Sequence, residues 1–395
     1  MKHDPNWMDI TEIYRKLMGF QINRLFGLAF GVYSTYGALG VELNERWRGK
    51  DIPQPNLGNW ILDSSSFLKS TCISPTDARQ LMLKFSTSPS LFASDESQSD
   101  GVFDFTHLKT SPIVHLGGSK FCVPVLDYLI DRMTIRAYFD IFDNLGSTDR
   151  GKFGFFLGNI VERYVYSLIG DMLGPTGMSS SRWYTPDQYV WQKGLSGGPD
   201  AIIIGQTGKS LEAIFLEIKS SRPRKQTQVS GDLELLKIDW TRFLIGSPRE
   251  RKGARQLDQA VTDFRNSKFS LPGIDQNTVA TIYPIIVTLD QWPFFLKNYQ
   301  AFAEDVRAEG LLRQPQVMPI DIWSCFDFET LCSRVISGGQ IFQIVRHRSL
   351  GEDYLPLWFQ LNLGGSAPGP NSPTLEKSWD KLRDAMVADL GLKEE

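Results

Sequence analysis

The chain has 395 residues, more than one hydrophobic core usually organises, so two domains are expected. Hydrophobic residues make up 42% and aromatic residues 12%, which supplies packed cores and excludes a globally disordered chain. A formal net charge of −3 excludes a protein that coats nucleic acid over its whole surface, while leaving room for a local basic groove.

The start, MKHDPNWMDITEIYRK, is polar and acidic where a secretion signal would be basic and then apolar. Residues 5–50 carry apolar positions at helical spacing. Within them LFGLAFGVYSTYGALGV (25–41) has no charge. It falls short of the roughly 20 apolar residues of a membrane span and is rich in glycine, so a buried helix or helix pair is expected, and no membrane. RGKDIPQPNLGNW then breaks the pattern, and the serine-rich STSPSLFASDESQSDG (86–101) reads as an exposed loop or linker. Residues 111–142 read as a short strand pair around Gly117-Gly118 followed by a helix. A boundary near 105 therefore separates a mainly helical N-terminal domain (1–105), suited to regulation, substrate selection or assembly, from a second domain (106–362).

The second domain reads helix (153–173), strand (187–192), strand (200–205), strand (211–220), helix (251–266), strand (280–289) and a strand-helix pair (316–335). TIYPIIVTL is an apolar, β-branched run that suits a fully buried central strand. Such interleaving predicts an α/β (α+β) fold, a mixed central sheet flanked by helices. GQTGKS (205–210) ends like a phosphate loop, but Ile203 stands where that pattern needs glycine and a strand follows, so a hairpin turn is expected. LGGSAPGPNSPTL begins a flexible connector that leads to a charged C-terminal helix (363–395). The four cysteines (Cys72, Cys122, Cys325, Cys332) have no CxxC spacing, which disfavours a zinc ribbon and suits free thiols in a reducing cytoplasm. The four histidines show no paired ligand spacing.

Chemistry concentrates in GGPD-AIIIGQTGKSLEAIFL-EIK. Successive strand residues face opposite sides, so Glu217 and Lys219 share a face and Ile218 points away. If the two apolar runs pair as a hairpin, Asp200 arrives at the same end. Two carboxylates and an ammonium would then converge where a hard divalent cation can be held. From 220 to 255 the chain carries nine Lys or Arg against four Asp or Glu, a local surplus beside that spot. Arg222, Arg224, Lys225, Arg251, Lys252 and Arg255 are the candidates for contacting a phosphate backbone.

Pro199-Asp200 and Glu217-Ile218-Lys219 resemble the PD-(D/E)XK nuclease superfamily, with its restriction-endonuclease-like fold. The resemblance covers roughly 150–350 and extends to Glu162 on the preceding helix and Gln256 on the following one. It implies metal-dependent hydrolysis of phosphodiester bonds, in DNA before RNA, with Mg²⁺ as cofactor and Mn²⁺ as substitute. Asp200, Glu217, the Ile218 carbonyl and Glu162 would be metal ligands. Lys219 would orient or help deprotonate water, and Gln256 would complete the catalytic set. A stand-alone nuclease without a motor suits prokaryotic defence or restriction, with a homo-oligomer or regulatory protein as further partner. The alternative is a non-cleaving nucleic-acid-binding or assembly module on the same fold.

Overall fold

A computed structural model describes residues 6–48, 57–67, 73–91, 105–174, 181–208, 210–230, 232–292, 296–350, 356–363 and 370–390. Its contacts divide the chain into two units, Met1–Phe153 with Ser378–Glu395, and Gly154–Lys377. Both units mix helices with strands.

In the first unit α1 (Ile10–Met18) starts where the Asp9 carboxylate accepts the Glu12 N–H, and ends at Gly19, whose φ of 84° suits glycine. The uncharged run lies within one helix, α2 (Ile22–Arg48). Among the described residues no helix is long and apolar enough to cross a membrane. β1 (Leu62–Asp63), α3 (Pro75–Lys84), β2 (Ser86–Thr87), α4 (Thr106–Thr110), β3 (Ile113–Gly117) and β4 (Lys120–Cys122) follow, with the strands in the order β1-β4-β3-β2. The expected strand pair around Gly117-Gly118 is thus present as β3 and β4. α5 (Leu126–Met133) and α6 (Ile135–Asn144) pack on α2 and α1. The Tyr36 hydroxyl donates to the Trp60 carbonyl (2.6 Å) and accepts the Val123 N–H (3.0 Å), tying α2 to the end of β4. These ties explain why residues 106–153 group with the N-terminal helices although a boundary near 105 was expected. Residues 92–100, most of the expected loop, lie outside the described residues.

α7 (Ser147–Leu173) supplies the long helix of the second unit. It leads to β5 (Ser181–Tyr184), β6 (Val190–Trp191), β7 (Ala201–Thr207) and β8 (Ser210–Lys219). Then come α8 (Lys225–Ser230), α9 (Leu233–Trp240), a π turn (Thr241–Ile245), α10 (Ala254–Arg265), β9 (Phe269–Ser270) and β10 (Val279–Thr288). α11 (Leu296–Ala308), β11 (Asp321–Ser324), α12 (Cys325–Ile336), α13 (Ile341–Leu350), α14 (Leu357–Leu363) and α15 (Pro373–Leu390) complete the order.

The main sheet runs β11-β10-β8-β7-β5. β5, β7 and β8 are antiparallel neighbours, whereas β10 joins β8 and β11 in parallel. Alternation along the strands builds two cores. Ile203, Ile214, Leu216 and Ile218 pack with Val161 and Val165 of α7 and Phe328 of α12. Ile202, Ala213 and Phe215 pack with Leu257 and Phe264 of α10 and Phe302 of α11. Such two-sided burial keeps β8 and β10 apolar almost throughout.

Thr207 pairs with Ser210, so β7 and β8 form the expected hairpin. The expected strand at 187–192 shrinks to β6, which pairs with β9 outside the main sheet. β5, without a sequence signal, takes the edge position beside β7 instead.

Candidate active site

Register brings the predicted residues together. Ala201 pairs with Leu216, so Asp200 sits at the end of the hairpin beside Glu217, and its Oδ2 accepts the Ile218 N–H at 2.6 Å. Odd-numbered Glu217 and Lys219 continue the face of Ala213 and Phe215, towards α10, while Ile218 turns its side chain to the α7 side. Lys219 lies in register with Thr288 of β10, and its carbonyl accepts the Leu289 N–H at 3.0 Å.

Glu217 is fully buried. Its Oε1 accepts a hydrogen bond from the Lys219 ammonium, and its Oε2 has no partner among the described residues. Burial drives the Glu217 carboxyl well above its ordinary range, reinforced by the Asp200 charge and opposed by Lys219. Asp200 is pushed up to about 6, mainly by loss of solvent; Lys219 and the Ile218 N–H pull it back, and Glu162 adds to the rise. For Lys219 burial acts downward, but the Glu217 and Asp200 charges outweigh it and raise the ammonium above its usual value. Burial is thus what chiefly raises both carboxyls, and an orphaned buried carboxylate oxygen lies within the cluster.

Glu162 approaches from the other layer. It lies on α7, where its Oε1 is 2.5 Å from the Tyr166 hydroxyl, one helical turn on. That hydroxyl is also 2.7 Å from the Asp200 carbonyl oxygen. A methyl group on Gly158, one turn before Glu162, would meet Ser220 Oγ at 3.7 Å, so α7 passes close to the end of β8.

Gln256 lies in the first turn of α10, and its amide donates to the Gly198 carbonyl at 3.5 Å. Gln259 bonds to Asp263 instead, at 2.7 Å. Gln256 thus holds the turn before Pro199-Asp200, helped by the Tyr189 hydroxyl on the Pro199 carbonyl (3.1 Å). Gly198, at φ 100°, lies under the Tyr189 and Trp191 rings, where a Cβ would come within 3.1–3.2 Å of them.

The basic stretch is less uniform than its composition implies. Arg222 is mostly covered and pairs with Asp290 at 2.5 Å. Arg224 gives its guanidinium (2.5 Å) and its N–H (2.8 Å) to the fully buried Asp239, which also accepts the Thr227 hydroxyl. Arg255 pairs with Glu309 and donates to the Gly246 carbonyl. Lys252 pairs with exposed Glu250 at 2.6 Å, and Arg251 is exposed. Lys225 opens α8, and its side chain lies outside the described part of the structure.

Among the described residues no group of three or more His, Cys, Asp or Glu side chains is gathered to hold a metal. Mg²⁺ needs only one or two carboxylates and keeps several waters, so Asp200 and Glu217, with the orphaned Glu217 Oε2, fit such an ion. Tyr166 and Tyr189 belong to the surroundings of the site, and Asp239 anchors Arg224; none of the three stands out in the sequence, although Tyr166 lies at the helical spacing of four from Glu162. No family model, no curated protein and no solved structure matches this chain.

Proposed function

We propose that the chain is a divalent-cation-dependent nuclease of the PD-(D/E)XK type, acting on DNA before RNA. The observation that carries this reading is the convergence of Asp200, buried Glu217 and Lys219 at one end of the β7–β8 hairpin, with a carboxylate oxygen left unpartnered. The order long helix, antiparallel hairpin, helix, parallel strand supports it. Mg²⁺, or Mn²⁺ in its place, would supply Lewis-acid relief of charge at the phosphodiester. Asp200 and Glu217 would hold the ion, and Glu162 would stand behind them from α7. Lys219 would orient the attacking water and offset phosphate charge, a task that a compact ammonium suits. Gln256 would keep the Gly198 turn, and so Asp200, in place. A role in prokaryotic defence, in the cytoplasm and with a second copy or a regulatory protein, belongs to the same proposal.

The test is cleavage of supercoiled and linear DNA with Mg²⁺, Mn²⁺ or EDTA, wild type against Lys219→Ala, each checked for folding by thermal melting. Cation-dependent cutting that the variant loses supports the reading. Neither cutting nor DNA binding by the wild type would sink it.

A second reading, a nucleic-acid-binding module that does not cut, draws on one observation: the Lys219 ammonium is already committed to Glu217. It expects DNA binding in EDTA, unchanged by Asp200→Ala.

A further inference from the structure

We infer that Tyr166 is a positioning residue of this site, holding the Glu162 carboxylate against the Asp200 backbone in readiness for a divalent cation. The inference rests on the nuclease reading above. Tyr166 lies one turn beyond Glu162 on α7, and its hydroxyl touches both that carboxylate (2.5 Å) and the strand segment bearing Asp200 (2.7 Å to its carbonyl oxygen). A hydroxyl has one proton to give, and here two acceptors face it. One acceptor therefore goes short. The proton goes to Glu162 Oε1, so a cation can be met through Oε2 while that hydrogen bond keeps the carboxylate in place. The ring is fixed as well, since Tyr166 is partly buried and lies 6.2 Å from the Trp183 ring, with which it is tilted.

A glutamate side chain has three rotatable bonds, and placing its carboxylate at a cation costs the freedom of each. The Tyr166 contact removes part of that cost in advance, which is the gain that preorganisation gives any ligand set. Loss of the hydroxyl should therefore weaken cation binding through Glu162 and through nothing else.

The experiment is a double-mutant cycle on the full chain, with Mn²⁺ binding read by electron paramagnetic resonance of the free ion and melting temperature read in EDTA. Tyr166→Phe should weaken Mn²⁺ binding by about three- to tenfold, the range of one hydrogen bond. Glu162→Gln should weaken it at least as much, and the double variant no more than Glu162→Gln alone, because coupled residues are not additive. Tyr166→His, which restores a donor, should recover part of the affinity and serves as the working variant if Tyr166→Phe folds poorly. A plain structural strut would instead lower the melting temperature in EDTA and leave Mn²⁺ affinity alone, or give additive losses; either result overturns the inference while wild-type binding and cutting keep the nuclease reading intact. A wild type that binds no Mn²⁺ overturns both.

Discussion

Asp200 carries a carboxyl that titrates at about 6 in the folded chain against an ordinary 3.8, chiefly because it has lost solvent. The folded state thus holds this proton more tightly than the unfolded one. The stability that the group contributes is present below about pH 4 and is lost as pH rises through about 6. Asp200→Asn keeps an oxygen for the Ile218 N–H and removes the charge. At pH 8 in EDTA it should be more stable than wild type by on the order of 2–3 kcal/mol, and the gap should close towards pH 4. Excess Mn²⁺ should reverse the ranking at pH 8, since only the wild type gains from the ion. Thermal melts at both pH values check this; an Asn variant melting at or below wild type at pH 8 in EDTA would show that the carboxylate is not held at a cost. Glu217 obeys the same logic: burial raises its carboxyl, and its Oε2 has no partner among the described residues.

At the scale of elements, β8 was readable because its period of two is local: Glu217 and Lys219 fall on one face whatever the strand pairs with. TIYPIIVTL is readable as a strand because it is apolar and rich in β-branched residues, and as β10 it occupies an interior position of the sheet. SRWY, which forms the edge strand β5, has four residues and no alternation to betray it. The helices α11 and α13 leave no clear sequence signal, because their apolar stripes are short and interrupted by charge. In the site, Asp200, Glu217 and Lys219 follow from strand spacing and Gln256 only from the family resemblance, whereas the contact of Tyr166 with Asp200 spans 34 residues of sequence and is set only when α7 packs on the sheet. One junction is likewise visible only in three dimensions. Gly253 starts α10 at φ 51°, and a Cβ there would stand 1.8 Å from the Leu244 carbonyl oxygen in the π turn. Gly253→Ala should cost more than about 2 kcal/mol in urea denaturation, from strained backbone and a collision with main chain. Gly154→Ala is the control: within α7, with open space around its would-be Cβ, it should stabilise by about 0.5–1 kcal/mol. Equal effects at the two glycines would refute the role assigned to the junction.

For the molecule as a whole, charge sets how it would meet DNA. A net charge of −3 gives no general attraction to a polyanion, so binding must come from local cations. The 220–255 segment offers six candidates by composition, but the fold has already committed three of them. Arg222 is tied to Asp290, Arg224 to the buried Asp239, and Arg255 to Glu309. Drawing Arg224 away would leave Asp239 charged, buried and without its counter-ion, a loss of several kcal/mol that a screened phosphate contact does not repay. Lys252, held only by exposed Glu250, and exposed Arg251 remain open to phosphate, since a surface pair of that kind is worth little. With each phosphate contact contributing about −0.9 to the salt slope on duplex DNA, two or three contacts give a slope of roughly −2 to −3, and six would give about −5. Fluorescence anisotropy with a labelled duplex, taken in Ca²⁺ between 50 and 200 mM salt, separates the two cases. The affinity should fall by some tens of fold at most, against about a thousandfold for six contacts. Arg251→Ala should lower the slope by about 1, whereas Arg224→Ala should reduce the melting temperature and leave the slope of the folded fraction unchanged. A steep slope that Arg222, Arg224 and Arg255 substitutions flatten would mean that those ion pairs open on DNA, and that the 220–255 segment reorganises around its substrate.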